Sequence, residues 1–179
     1  GLFSTAVGTC ALYSANASGC NTAFGHEAGK CITSGSRNII MGSGAGQYIS
    51  TGSENISIGD YAGEQCFGAG TGCQNVSIGV QAARKTTCFS VAVGYQALRN
   101  SSGNQNVAVG HCALYGNTTG ACNTAVGYQA GFNMTTSRWN SALGFCALNS
   151  ATTPNAVTAI GAYALKSLTT GAQNTAIGY

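Results

Sequence analysis

Eleven glycines recur along the chain at nearly constant spacing: Gly8, Gly25, Gly42, Gly59, Gly79, Gly94, Gly110, Gly127, Gly144, Gly161 and Gly178. The intervals are 17, 17, 17, 20, 15, 16, 17, 17, 17 and 17 residues. A period held along a whole chain marks a repeat architecture, in which each unit buries apolar surface only against its neighbours. A unit of 17 residues is too short for a strand, a full helix and two turns. It suits one turn of a solenoid made of short strands and tight corners.

Numbering columns from each landmark Gly exposes the pattern inside the unit. Column −1 is always apolar, from Val7 and Phe24 to Ile160 and Ile177. Column −2 holds only Ala, Ser or Ile, and column −3 only Thr, Val, Ile or Ser. Asn recurs at −4, as Asn21, Asn38, Asn55, Asn75, Asn106, Asn123, Asn140 and Asn174, and Ala fills +3 from Ala11 to Ala164. Alternation with period two, carried by β-branched residues, predicts a strand over columns −3 to −1. The fold class expected is therefore all-β: a parallel β-solenoid or β-roll of about ten 17-residue coils, one array over residues 1–179. Rungs about 4.8 Å apart would make a rod on the order of 50 Å long.

Period two also sends columns −3 and −1 to one face and −2 and zero to the other. The bulky Val/Ile face is expected to fill the coil. The small Ala/Gly face then needs another backbone close by, either the opposite wall of a thin coil or strands of other chains. The Asn column has two readings, a turn residue or an amide ladder running from coil to coil, and the ladder is preferred. The intervals of 20, 15 and 16 place an irregular longer coil around 60–79, with a Gly-rich excursion at Cys66–Cys73.

Composition narrows the function classes. Charged residues are 6% of the chain and the net charge is +3, too thin for binding nucleic acid through its phosphates. No apolar run is long enough for a membrane span. Nine cysteines without zinc-finger spacing point to an oxidising, extracellular or surface setting. Cys10 and Cys20 occupy the same two columns of one repeat as Cys112 and Cys122 do of another. Disulfides Cys10–Cys20 and Cys112–Cys122 are therefore expected, with Cys66–Cys73 closing the longer loop. That leaves the odd set Cys31, Cys88 and Cys146, of which at least one is free or bonded to another chain. Of six N-x-[ST] sequons, Asn16, Asn100, Asn117 and Asn133 are the expected glycan acceptors, because Asn55 and Asn75 adjoin strands.

No constellation for catalysis stands out. His26 and His111 share column +1 with Tyr95, Tyr128, Phe145 and Tyr179, which reads as a packing or rim position. Glu27, Glu54, Asp60 and Glu64 form no Asp-rich Gly loop of the calcium-binding kind. Phosphate loops, a serine nucleophile elbow and zinc-protease motifs are missing. No enzyme activity, cofactor or metal is expected. A Thr column at −3, of the kind that binds ice on flat solenoids, is interrupted by Ile39, Ile56, Val76, Val91 and Val107. Column +5 mixes Lys30, Arg84, Arg99 and Lys166 with Tyr13, Tyr115 and Phe132. It reads as a solvated corner; its alternative is a glycan-binding stripe formed by Tyr13, Arg99, Tyr115 and Phe132.

The segment N-T-A-V-G-Y-Q-A-G at Asn123–Gly131, and its variant at Asn106–Leu114, resembles two groups of repeats. One forms the heads of trimeric autotransporter adhesins; the other is the N-T-A-V-G-Y-Q-A-L repeat of phage tail-fibre-like surface fibre proteins. The resemblance covers essentially the whole chain. It implies a left-handed parallel β-roll with three chains about an axis. Residues and resemblance together suggest a structural protomer or segment of an extracellular filament, stalk or appendage, non-catalytic and joined end to end by coil stacking. The alternative is an adhesin or tail-fibre module that recognises surface glycans through the +5 stripe or the Cys66–Cys73 loop.

Overall fold

The structure, a computed structural model, describes residues 3–65, 71–85 and 88–179. It is all-β, with eleven three-residue strands: β1 Thr5–Val7, β2 Thr22–Phe24, β3 Ile39–Met41, β4 Ile56–Ile58, β5 Val76–Ile78, β6 Val91–Val93, β7 Val107–Val109, β8 Thr124–Val126, β9 Ser141–Leu143, β10 Thr158–Ile160 and β11 Thr175–Ile177. They form one parallel sheet in strict sequence order, so successive repeats are successive rungs of a β-solenoid. Register is kept through the irregular intervals, where Ile56 pairs with Val76 and Val76 with Val91. At about 4.8 Å per rung the ten steps from β1 to β11 span roughly 48 Å.

Each rung closes through a run of turns. After β7, Ala113 N–H donates to Gly110 O, Tyr115 N–H to Cys112 O and Asn117 N–H to Leu114 O. The intervening donors bond along the rod: Cys112 N–H to Tyr95 O, Leu114 N–H to Ala130 O and Gly116 N–H to Phe132 O. Backbone groups alternate between closing their own coil and tying it to the next. The path requires left-handed backbone at columns +2, +4 and −5, filled by residues such as Cys112, Leu114 and Cys122 at φ of 55°, 51° and 59°.

The landmark Gly is a position of close approach. Its φ is 135° at Gly127, and a Cβ there would lie 2.4 Å from the carbonyl oxygen of Gly144 on the next rung. The same contact recurs at 2.2–2.6 Å in most of the column.

Burial reverses one expectation. The Ala column is inside: Ala23, Ala92, Ala108, Ala125 and Ala159 are wholly buried, whereas Met41 and Val126 of column −1 are 43% and 39% exposed. The coil is so thin that its two walls nearly touch. Column −2 meets Ala at +3 and Leu at +4, as in the cluster of Ala108, Ala113, Leu114, Ala125 and Ala130. Small side chains therefore mark the inner face. Of the two neighbours expected for them, the opposite wall is the one found.

Core volume is conserved by exchange between two columns in seven coils, Leu165 with Leu168 being the exception. Where +4 is Leu12, Leu98, Leu114 or Leu148, column +7 is Ala15, Ser101, Asn117 or Ala151. Where +4 is Gly29, Gly46 or Gly131, column +7 is Ile32, Ile49 or Met134, each buried. A Cβ on Gly131 would lie 2.8 Å from Met134 Sδ and 2.9 Å from Leu114 Cδ2, so one space is filled from either side. Gly131→Leu alone should destabilise by about 2–3 kcal/mol through overpacking, and Met134→Ala by a similar amount through a cavity. The double change should recover at least about 1.5 kcal/mol of their sum, read as a coupling energy in urea denaturation. Additive losses would contradict the exchange.

The Asn ladder is formed, deep in the rod. Asn38 donates both its backbone N–H and Nδ2 to Asn21 Oδ1, at 3.0 Å each. Asn55 does the same to Asn38, Asn75 to Asn55, Asn123 to Asn106 and Asn140 to Asn123. The Nδ2 groups of Asn21, Asn38, Asn55, Asn106, Asn123 and Asn140 also reach a carbonyl across their own coil, such as Gly35 O from Asn21 and Ser137 O from Asn123. The buried amides of Asn38, Asn55 and Asn123 are thus satisfied on four sides, which a simple turn residue would not need.

Candidate functional site

Turning the Ala column inward puts columns −3 and −1 outside, on a flat face of eleven rungs by two residues. None of these 22 residues is charged. Column −3 contributes Thr22, Ile39, Val76 and Thr124, and column −1 contributes Phe24, Met41, Val109 and Leu143. A grid of this size covers about 500 Å², comparable to the largest apolar patches that monomers expose.

One rim of the face is aromatic. Tyr95, His111, Tyr128 and Phe145 of column +1 stack in series, with centroids 5.0, 5.2 and 5.0 Å apart. Those separations follow the rung spacing of about 4.8 Å. His111 lies between two rings, in keeping with its reading as a rim residue. Cys112 beside it is buried, which pushes its thiol above the ordinary range and makes it a poor nucleophile.

The +5 edge is largely self-satisfied. Tyr115 and Phe132 stack at 5.2 Å and 5° between planes, and Arg99 donates from Nη1 to Tyr115 Oη at 3.2 Å and from Nε to Gln81 Oε1 at 3.0 Å. Lys30 pairs with Glu27 at 2.6 Å, Arg84 pairs with Glu64, and Lys166 lies 4.6 Å from the Tyr163 ring centroid. Tyr13 stands well exposed at 75%. Of the proposed stripe, Arg99, Tyr115 and Phe132 are brought together, with Arg99 bonded to Tyr115 and to Gln81 and Tyr115 stacked on Phe132.

The four carboxylates are also engaged. The Lys30 hydrogen bond holds the Glu27 carboxyl below its ordinary range, and hydrogen bonds from Gln74 and Arg37 do the same for Glu54. Asp60 accepts the Ser43 N–H at 3.2 Å. Among the described residues no three His, Cys, Asp or Glu side chains are grouped to hold a metal ion.

Two sets of expected modification sites need correction. Asn117 is wholly buried, its Nδ2 donating to Ser101 Oγ and Gly120 O, so the atom that would carry a glycan is inside the rod. Asn16 and Asn133 are exposed, and Asn100 is half-buried with its Nδ2 on Tyr115 O. The thiols of Cys10, Cys20, Cys112 and Cys122 are free. In each expected pair one cysteine follows its strand and the other precedes the next. The two therefore lie at opposite ends of parallel strands, separated by more than the length of a three-residue strand, about 10 Å. A disulfide allows at most about 6.8 Å between Cα atoms. Repetition of the pair in register reported equivalent places in two coils and not proximity. Cys66, the expected partner of Cys73, lies outside the described residues; Cys73 itself faces Cys88.

Comparison of the chain with protein-family models, with curated proteins and with solved structures finds no match. No helix of the described residues is long and apolar enough to cross a membrane.

Proposed function

We propose that the chain is a structural segment of an extracellular or surface filament, stalk or appendage, in which rods stack end to end and meet through their outer sheet faces. The observation that carries this reading is the outward Val/Ile face: an uncharged, periodic strip along all eleven rungs. Six of the 22 residues are Thr or Ser; burying the apolar remainder, about 360 Å² per chain at roughly 25 cal/mol per Å², corresponds to a gross gain on the order of 9 kcal/mol, before association entropy is subtracted. A second copy offers the same periodicity and so fits rung for rung. The in-register backbone ladder, the amide ladder and the ring stacks all run along one axis, the direction in which a load-bearing fibre needs continuity. The glycan-binding alternative is less well supported, because Arg99 is already bonded to Tyr115 and Gln81 and Tyr115 is stacked on Phe132.

Lys at Val109 and Val126, both outward on the sheet, tests the proposal. Val109→Lys combined with Val126→Lys should leave the circular dichroism spectrum unchanged and convert laterally associated assemblies into single rods, read by sedimentation velocity and negative-stain microscopy. Unaltered association, or discrete globules in the parent protein, would remove the reading.

A further inference from the structure

We propose that Cys73 and Cys88 form a disulfide that staples the rung of β5 to the rung of β6. Both stand six residues before a landmark glycine, Gly79 and Gly94, and so share one column on successive rungs. Both are free thiols in the structure, with their sulfurs already 3.2 Å apart. No other two of the eight described cysteines share a column on neighbouring rungs.

The backbone places these sulfurs. Side chains of this column lean onto the rung before: Ser53 Oγ accepts the Ser36 N–H at 3.0 Å, and Asn155 Oδ1 accepts the Arg138 N–H at 3.0 Å. Cys88 Sγ takes the same role, accepting the Cys73 N–H at 3.3 Å. Phe89 N–H donates to Cys73 O at 3.1 Å and clamps the two rungs beside the sulfurs. Rung neighbours about 4.8 Å apart fall inside the Cα window that a disulfide needs.

The position in the rod gives the bond a purpose. Gly79 and Gly94 are 15 residues apart, the shortest interval in the chain. Here the amide ladder also loses a member: Ser90 stands where Asn is usual, and it passes on only one contact, from Asn106 N–H to Ser90 Oγ at 3.4 Å. A covalent link would lie beside this thinned step of the ladder.

Formation needs an oxidant, for which a low-molecular-weight disulfide serves. One thiolate of the pair attacks it and releases one small thiol; the second cysteine then displaces the other. Two S–H bonds break, one Sγ–Sγ bond forms, and the small disulfide is reduced to two thiols.

The test is a non-reducing peptide map of the folded full-length chain after incubation with oxidised glutathione and alkylation. Trypsin cuts at Arg84 and Lys85 and chymotrypsin at Phe67, which separates Cys66, Cys73 and Cys88. The expected product joins 68–84 to the peptide that begins at 86, two hydrogens lighter than the sum. It should persist in Cys66→Ser, vanish in Cys88→Ser, and fall several-fold in yield when oxidation is carried out in denaturing urea. A Cys66–Cys73 link with Cys88 alkylated, full alkylation of both sulfurs, or equal yield from folded and unfolded chain would each overturn the proposal.

Discussion

Gly127→Ala is expected to destabilise the rod by about 4 kcal/mol or more, a loss far beyond that of an ordinary added methyl group. Two independent costs combine. A φ of 135° is open only to glycine, and the new Cβ would lie 2.4 Å from Gly144 O and 2.7 Å from its carbonyl carbon. The obstructing atoms are backbone of the next rung, fixed by Gly144 N–H donating to Val126 O at 2.8 Å. Relief requires moving a rung, which breaks ladder bonds on both sides. Gln129→Ala, two residues on at φ 52°, is the control: its left-handed backbone already carries a side chain, so the loss should stay below about 1 kcal/mol. Urea denaturation of the three proteins gives the comparison. A Gly127→Ala loss no greater than the control would mean that rungs do not approach as closely as described.

Asn123→Ala should cost about 2–4 kcal/mol, and more than its apolar volume explains. The side chain donates to Asn106 Oδ1 and Ser137 O and accepts from the N–H and Nδ2 of Asn140. Truncation strands a buried carbonyl and two buried donors in one step. Asn123→Asp keeps the acceptor and buries a charge instead. Its folded-state pKa would then exceed the unfolded value of about 3.9, so the loss grows as pH rises through that interval and shrinks again toward pH 4. Asn174→Ala removes a solvent-exposed amide whose Nδ2 reaches only Ala172 O, and should cost less than about 0.5 kcal/mol. Equal effects at 123 and 174 would reduce the ladder to a row of ordinary turn residues.

Much of this fold was legible because the repeat fixes equivalence. Strands fall on columns −3 to −1 at every rung, and the Asn column predicted the buried amide ladder. Reading failed where equivalence had to be turned into direction or distance. Bulk suggested that the Val and Ile of columns −3 and −1 faced inward; in a coil whose walls nearly touch, the inward strand column is mostly Ala, and Ile40 fits inside it beside Gly29 and Gly46. In-register cysteines suggested bonds, yet Cys112 and Cys122 lie beyond opposite ends of the strands. Asn117 satisfied a sequon and was spent inside a turn. The left-handed corners were hidden because Gln, Cys and Leu occupy them in place of Gly or Asn. The exchange between Gly131 with Met134 and Leu114 with Asn117 was visible in the letters, but its meaning required knowing that columns +4 and +7 share one space.

The thin coil and its outward apolar face are tested together by cryo-electron microscopy of the native assembly at side-chain resolution. Rungs about 4.8 Å apart are expected, with Ala108 and Ala125 inside each coil and Val109 and Val126 pressed against a neighbouring chain. Val109 and Val126 inside their own coil, or a lone rod with that face in solvent, would contradict it.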